Sequence, residues 1–197
     1  MSPFSQVGLL LVHTLGGLAL LIIMLRFLLQ LVRADFYNPI SQFLVKATNP
    51  VLIPLRRIIP GFGGLDIASL VLAYVVQVIV YGLITMLKGY GIPLNYLLIW
   101  APLGLFVLCM NIYFWGMLIT VIASWIAPGS YNPALILINQ ILEPVVRPVR
   151  KMMPDLGGLD LSPMVVMLSL LVIQALIVGP LAIMLNVPNF IPMYVGF

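Results

Sequence analysis

Chemistry needs side chains that carry charge, protons or lone pairs, and this sequence offers few: five acids, nine Lys and Arg, one histidine and one cysteine. The acids Asp35, Asp66, Glu143, Asp155 and Asp160 fall in or beside two polar stretches, while His13 and Cys109 stand in apolar surroundings. No acid, base and nucleophile come together by spacing, and neither a zinc-ligand pattern nor a continuous phosphate-cradling glycine motif is present. One imidazole with no second histidine and no nearby carboxylate is a poor metal or haem ligand, so His13 is expected to pack and hydrogen-bond between helices. Cys109 has no disulfide partner in the chain. No catalytic residue, metal site or cofactor is expected, and the chain reads as a non-enzyme.

The remaining polar residues form two sets. Arg33, Lys46, Arg56, Arg57, Arg147, Arg150 and Lys151 gather in the two polar stretches, whereas Arg26, Gln77, Asn111 and Gln174 stand alone inside long apolar runs. A composition 63% hydrophobic and 7% charged does not describe a water-facing surface, so the chain is expected to be an integral membrane protein. Apolar runs at Val7 to Leu31, Ile67 to Met86, Ala101 to Ala127 and Leu161 to Leu185 each reach the roughly 20 residues that cross the hydrocarbon. The fold class is therefore all-α, with four transmembrane helices. Met1 to Val7 carries no Lys or Arg, and the first run is too long for the core of a cleavable signal, so it is expected to remain as a span.

The elements that position the cations are written twice. Tyr37-Asn38-Pro39 leads through Pro50, Pro54 and Arg56-Arg57 to Pro60 and Gly63-Gly64-Leu65-Asp66. At an offset of 94, Tyr131-Asn132-Pro133 leads through Pro144, Pro148 and Arg150-Lys151 to Pro154 and Gly157-Gly158-Leu159-Asp160, with 12 of 30 aligned positions identical. That pattern is an internal duplication. It divides the chain into a repeat at 1–94, with helices near 7–31 and 67–86 around a loop at 33–66, and a repeat at 95–197, with helices near 101–127 and 161–185 around a loop at 128–160. Each unit crosses twice, so the copies run parallel. Both loops hold the cations and the opposite face has only Lys88, which puts the loops in the cytoplasm and both termini outside.

Each loop is expected to hold short interfacial helices. Ile40, Phe43, Leu44, Ala47 and Val51 share one side of a helical wheel and Ser41, Gln42, Lys46 and Asn49 the other. Pro50 should stop that helix, leaving Val51 to Ile59 as a second segment closed by Pro60 and the glycine bend. Leu135, Ile136 and Leu142 make the second copy more apolar, so it should be more deeply buried, with Glu143 pairing to Arg147 at i and i+4. Asp66 and Asp160 stand where N-caps are needed. The cations beside the bilayer should bind lipid phosphates, with partner docking as a further use, and a pI near 9.4 then implies no nucleic acid.

Of the intramembrane residues, Arg26 shares a stripe with Gln30 and Arg33 near the cytoplasmic end and is expected to snorkel to the phosphates, with an interior role as the alternative. Gln77 and Gln174 should turn toward protein, offset from each other by about one turn, as interhelical glue ahead of a substrate site. Pro102 marks the expected start of the third span. The tail from Asn186 to Phe197 is expected to lie irregularly on the outer surface.

The duplicated Tyr-Asn-Pro, Pro-x-Arg-[Arg/Lys] and Gly-Gly-Leu-Asp series resembles the YggT (YlmG) family over nearly the whole chain. The run Gly157-Gly158-Leu159-Asp160-Leu161-Ser162-Pro163 is similar to its signature, and Arg26 matches an arginine of its first repeat whose counterpart here is Thr120. The first copy departs at Ile67-Ala68-Ser69, which puts a different helix start in its place. The resemblance implies a bacterial inner-membrane protein with plastid relatives, associated with osmotic or salt stress, cell division or nucleoid organisation, and haem assembly onto a cytochrome. The residues favour a non-enzymatic membrane scaffold or assembly factor whose partners are membrane lipids and other membrane proteins or a second copy. A channel or transport role in ion or osmotic homeostasis is the alternative, and haem assembly is third.

Overall fold

The computed structural model describes residues 2–126, 131–153, 160–191 and 193. In chain order its helices are α1 (Pro3–Leu31), α2 (Pro39–Ile58), α3 (Ile67–Leu87), α4 (Leu94–Ile126), α5 (Pro133–Met152) and α6 (Ser162–Met184). Four of them, α1, α3, α4 and α6, are long and apolar enough to cross a membrane, as a multi-pass membrane protein requires. The second Gly-Gly-Leu bend, Asp155 and residues 194–197 lie outside the described residues. So do 127–130, where the third span was expected to end.

The two middle spans α3 and α4 pack side by side, with α1 against α3 and α6 against α4. Their shared core includes Leu20, Val80, Tyr81, Ile84, Trp100 and Val178. At one end of the bundle α2 packs on α1 and α3, α5 packs on α4 and α6, and the two short helices touch. Asn38 makes that contact specific. Its side chain caps α2 by accepting from Ile40 N (2.9 Å) and donates to the Pro133 carbonyl at the start of α5 (2.9 Å).

Proline places the helix boundaries differently from expectation. Pro50 does not stop α2, which continues through Pro50 and Pro54 to Ile58, and α5 likewise continues through Pro144 and Pro148. An interior proline costs about 3 kcal/mol when nothing compensates, but here Leu44, Thr48 and Leu52 are buried against the spans and hold the helix together. The second copy buries as many residues within the protein as the first, Leu137, Ile141, Leu142 and Val146 against Ser41, Leu44, Thr48 and Leu52, and not more. Pro102 lies inside α4, which begins at Leu94. A proline at 102 leaves the Leu98 carbonyl without its helical donor, and the Tyr74 hydroxyl of α3 supplies the bond (3.1 Å).

Two spans carry a single wide turn, at Val12–Gly16 in α1 and at Gln174–Val178 in α6, the latter just ahead of Pro180. The described residues after α6, 185–191 and 193, turn inward instead of staying on the outer surface. Asn186 takes a left-handed conformation (φ 53°), and the segment folds back so that Ile191 and Met193 are buried in the main core. The Phe190 ring stacks on Tyr90 with centroids 5.0 Å apart, and the Trp100 indole N–H donates to the Leu185 carbonyl (2.9 Å). These anchors are apolar burial and hydrogen bonds together, which is what irregular backbone needs at this depth.

Glycine sets the distance between α1 and α3. A Cβ on Gly16 would stand 2.6 Å from Val80 Cγ2, a stiff side chain that cannot swing away, whereas one on Gly17 would meet nothing within 4 Å. Gly16→Ala is therefore expected to destabilise the bundle by about 1–3 kcal/mol through overpacking. Gly17→Ala should leave stability unchanged or slightly raised, because alanine is the better helix former. Thermal unfolding of the two variants in one detergent measures the difference, and equal midpoints would contradict the packing described.

Candidate functional site

Arg26 is the one charge well inside a span, and hydrocarbon offers its guanidinium nothing. Instead of reaching out to the phosphates it turns into the protein, at 4% exposure. Its Nη1 donates to the Val45 carbonyl (2.9 Å) and to Thr48 Oγ1 (2.5 Å), both on α2. That carbonyl lies one residue before the Lys46 carbonyl that Pro50 deprives of a donor, so the arginine meets α2 where its ladder is loosened.

A second arginine completes the cluster. Arg56, near the end of α2, donates from Nη2 to Gln30 Oε1 of α1 (3.1 Å) and forms an ion pair with Asp66 through Nη2, with Nε also within 3.4 Å of Oδ1. Asp66 in turn accepts from Ser69 N (3.3 Å) and the Ser69 hydroxyl, capping α3. Between them the chain turns through Gly63 (φ 61°) and Gly64 (φ 85°), a left-handed pair that other residues adopt only with strain. Phe62 and Leu65 exchange two backbone bonds across that turn (3.0 and 3.3 Å). Three helices are thus tied by one polar group: Arg26, Gln30, Thr48, Arg56, Asp66 and Ser69.

The second copy keeps only half of this arrangement. Arg150 Nε pairs with Asp160 Oδ2 (2.8 Å), and Asp160 Oδ1 accepts from Ser162 N (2.9 Å). Glu143 pairs with Arg150 (3.3 Å) and not with Arg147, because a bond one further turn along α5 also joins the Asp160 pair. At the position of Arg26 stands Thr120, whose hydroxyl bonds back to Met117 O in its own helix (2.9 Å), and at the position of Thr48 stands Leu142, buried with Met117, Val146 and Val166. Donor and acceptor have been lost together. The helix starts also differ: Asp66 is the N-cap of α3 and accepts from Ser69 N at i+3, whereas the N-cap of α6 is Leu161 with no side-chain bond, so Asp160, expected at that place, lies one residue ahead and accepts from Ser162 N at i+2.

Electrostatics separate the two aspartates in the same sense. Burial alone would raise the Asp66 carboxyl, but hydrogen bonds from Arg56 and Ser69 and the Arg56 charge outweigh it and hold the group below the ordinary carboxylate range. Asp160 is also held low: burial again opposes, and the Ser162 and Arg150 bonds win. Arg150 is pushed up, chiefly by its bond to Asp160. The side chains of Arg150 and Asp160 are 48% and 41% exposed, against 3% for Asp66, so water screens the second pair far more.

The other cations stay outside the cluster. Arg33, Lys46, Arg57, Arg147 and Lys151 are exposed and form no ion pair among the described residues. Lys46 and Arg57 are 11 residues apart, three helical turns, and therefore share one stripe of α2, as Arg147 and Lys151 do on α5. Arg33 ends α1 in a left-handed conformation (φ 53°). Deeper in the bundle the two glutamines line different cavities. Gln77 bonds to Tyr81 and shares a cavity of about 190 Å³ with His13 and Asn111, whereas Gln174 donates to the Met193 carbonyl (2.6 Å) of the returning tail. Sequence reasoning missed Thr48 and Gln30 as arginine partners, although the paired loss of Arg26 and Thr48 between the copies was visible in it.

Breaking the pair at the buried carboxylate should cost more than breaking the exposed pair. Asp66→Asn is expected to cost about 2 kcal/mol, below the value for a fully buried pair because Arg56 keeps partial solvent contact, and Asp160→Asn under about 1 kcal/mol. Both carboxyls have folded values below their unfolded ones, so their contribution is present above the unfolded pKa and is lost as pH falls through the lowered one. The thermal midpoint of the purified protein should stay level from neutral pH to about 4 and then drop, and the drop should shrink in Asp66→Asn. A midpoint that falls equally in that variant would overturn the assignment.

Comparison with known proteins places this arrangement. A family model described as CCB3/YggT matches residues 5–87 and again 99–181. The chain is 53% identical over 179 residues to an uncharacterized protein of Pseudomonas aeruginosa, covering 90% of this chain and 91% of that one. It is 40% identical over 177 residues to an uncharacterized protein of Vibrio alginolyticus (87% and 95% covered), and 37% identical over 171 residues to the uncharacterized protein YggT of Escherichia coli K12 (83% and 85% covered). No solved structure matches the chain. The matched stretches begin at residues 5 and 99, the same offset of 94 that carries Arg56-Asp66 onto Arg150-Asp160, and on that match and these identities the chain belongs to the CCB3/YggT family.

Proposed function

We propose that this protein is a non-enzymatic scaffold or assembly factor of the bacterial inner membrane, built as two parallel two-helix repeats whose loop helices form a basic cytoplasmic platform. The observation that carries this reading is the division of labour among the cations. Arg56 and Arg150 are used up in ion pairs that fix α2 and α5 to the spans, while Lys46, Arg57, Arg147 and Lys151 are exposed and unpaired among the described residues. A helix fixed in place and bearing a stripe of free cations presents charge at a defined position instead of on a flexible loop.

Apolar side chains accompany that charge. Phe43 and Ile58 on α2 and Ile136 and Met152 on α5 are exposed, as amphipathic helices lying at a lipid surface require. The positive-inside bias assigns this face to the cytoplasm and both termini to the other side. Anionic lipid headgroups are the first partner, and other membrane proteins or a second copy are held on the same face.

The test reconstitutes the protein in nanodiscs of mixed phosphatidylglycerol and phosphatidylcholine and counts retained lipids by native mass spectrometry. Each cation near an anionic surface is worth about 1 kcal/mol, so replacing Lys46, Arg57, Arg147 and Lys151 by glutamine should lower the preference for the anionic lipid by at least about tenfold with insertion unchanged. Crosslinks from cysteines placed at Arg57 and Arg147 in native membranes should reach one stoichiometric partner. An unchanged lipid preference in the fourfold variant, with no such crosslink, would sink the proposal.

A further inference from the structure

The cavity between α1, α3 and α4 uses four polar side chains that neither the cap cluster nor the basic platform needs. His13 comes from α1, Gln77 and Tyr81 from α3, and Asn111 from α4, around a space of about 190 Å³. Gln77 is ten residues from either end of the 21-residue α3, so the cavity lies near mid-bilayer depth. Its lining holds no charged residue, so a charged ligand would find no counter-charge there, while a neutral one would find several hydrogen-bonding groups.

The walls are shaped by glycine. The Tyr81 hydroxyl lies against Gly104, where a Cβ would stand 2.0 Å from its oxygen and 3.2 Å from Gln77 Nε2, so only glycine leaves the polar floor intact. On the α1 side Gly17 also lines the space, and a Cβ there would meet nothing within 4 Å. His13 and Gly17 are exposed on the outer surface of α1, and His13 sits in the wide turn Val12–Gly16, which alters the register of the helix at this point. The cavity is therefore reached sideways, from the hydrocarbon, by a molecule already dissolved in the bilayer.

We propose that this cavity binds the ring of a lipid-soluble quinone. A quinone is neutral, flat enough for a slot walled by two glycines, and carries carbonyl acceptors on opposite edges of the ring. The Tyr81 hydroxyl accepts from the Gln77 amide and donates to Met193 Sδ (3.9 Å), which fixes that amide. The imidazole of His13 on one side and the remaining amide N–H of Gln77 on the other supply donors to those carbonyls, and the isoprenoid chain leaves past Gly17 into lipid. The inference is independent of the basic platform, which lies at the ends of the spans.

Decylubiquinone titrated into the full-length protein in nanodiscs, with retained ligand read by native mass spectrometry, tests it. Saturable binding of one quinone per chain is expected. Gly17→Leu, which fills the gap without meeting an atom at its Cβ, should weaken binding at least about tenfold while the thermal midpoint holds, and His13→Ala, on an exposed side chain, should weaken it too. Absence of saturable binding, or binding indifferent to both substitutions, would overturn the proposal. Equal displacement by a diacylglycerol would overturn the assignment to a ring.

Discussion

An aspartate at the first turn of a membrane span has two obligations, and at Asp66 one carboxylate meets both. It caps the free amides that open α3, where the positive end of the helix dipole favours a negative charge, and it holds Arg56 and with it the far end of α2. The glycine turn between them brings residues 56 and 66 together. Remove the carboxylate and α3 loses its cap, α2 loses its anchor, and Arg56 loses the counter-charge that lets it reach Gln30. The rest of this end of the molecule depends on that joint. Arg26 finds acceptors on α2 only because α2 is held against α1.

The two copies of the loop show what such a joint needs at its minimum. Arg150 and Asp160 keep the pair at a largely water-exposed site, with Asp160 one residue ahead of the N-cap and bonded to Ser162 N, and without an equivalent of Arg26. A surface pair of this kind adds little energy, so α5 depends more on apolar packing, and Leu142 in place of Thr48 supplies it. The first copy buries Arg26 against Thr48 and the Val45 carbonyl, whereas the second buries leucine. Each is self-consistent. Mixing them would bury an arginine beside a leucine, or a threonine hydroxyl without its donor, and both are costly.

The spans were legible in the sequence because length and apolarity are local properties, and the Asp66 cap because aspartate after a glycine turn is a local signal as well. What escaped was everything that depends on a neighbour. Pro50 reads as a stop until Leu44, Thr48 and Leu52 are seen buried against the spans, and Pro102 reads as a beginning until Tyr74 is seen bonded to the carbonyl it freed. Arg26 reads as a snorkelling residue because its position near a span end is visible and its acceptors on α2 are not. Glu143 reads as a partner of Arg147 because i and i+4 is the spacing a lone helix offers; the actual partner is chosen by Asp160, which α6 brings alongside.

The tail makes the same point about glutamine. Amides in apolar spans read as glue between helices, and Gln77 is bonded within its own helix to Tyr81, but Gln174 answers a different need. Backbone without helical bonds is not tolerated in hydrocarbon unless protein satisfies it, and the chain after α6 runs back irregularly into the core. Gln174 donates to the Met193 carbonyl and Trp100 to the Leu185 carbonyl, so two side chains stand in for the missing ladder. The polar residues of the spans thus differ in what they meet: Arg26 bonds the carbonyl beside the one that Pro50 frees, Gln174 a returning chain, and His13, Gln77 and Asn111 line a cavity shaped by glycine.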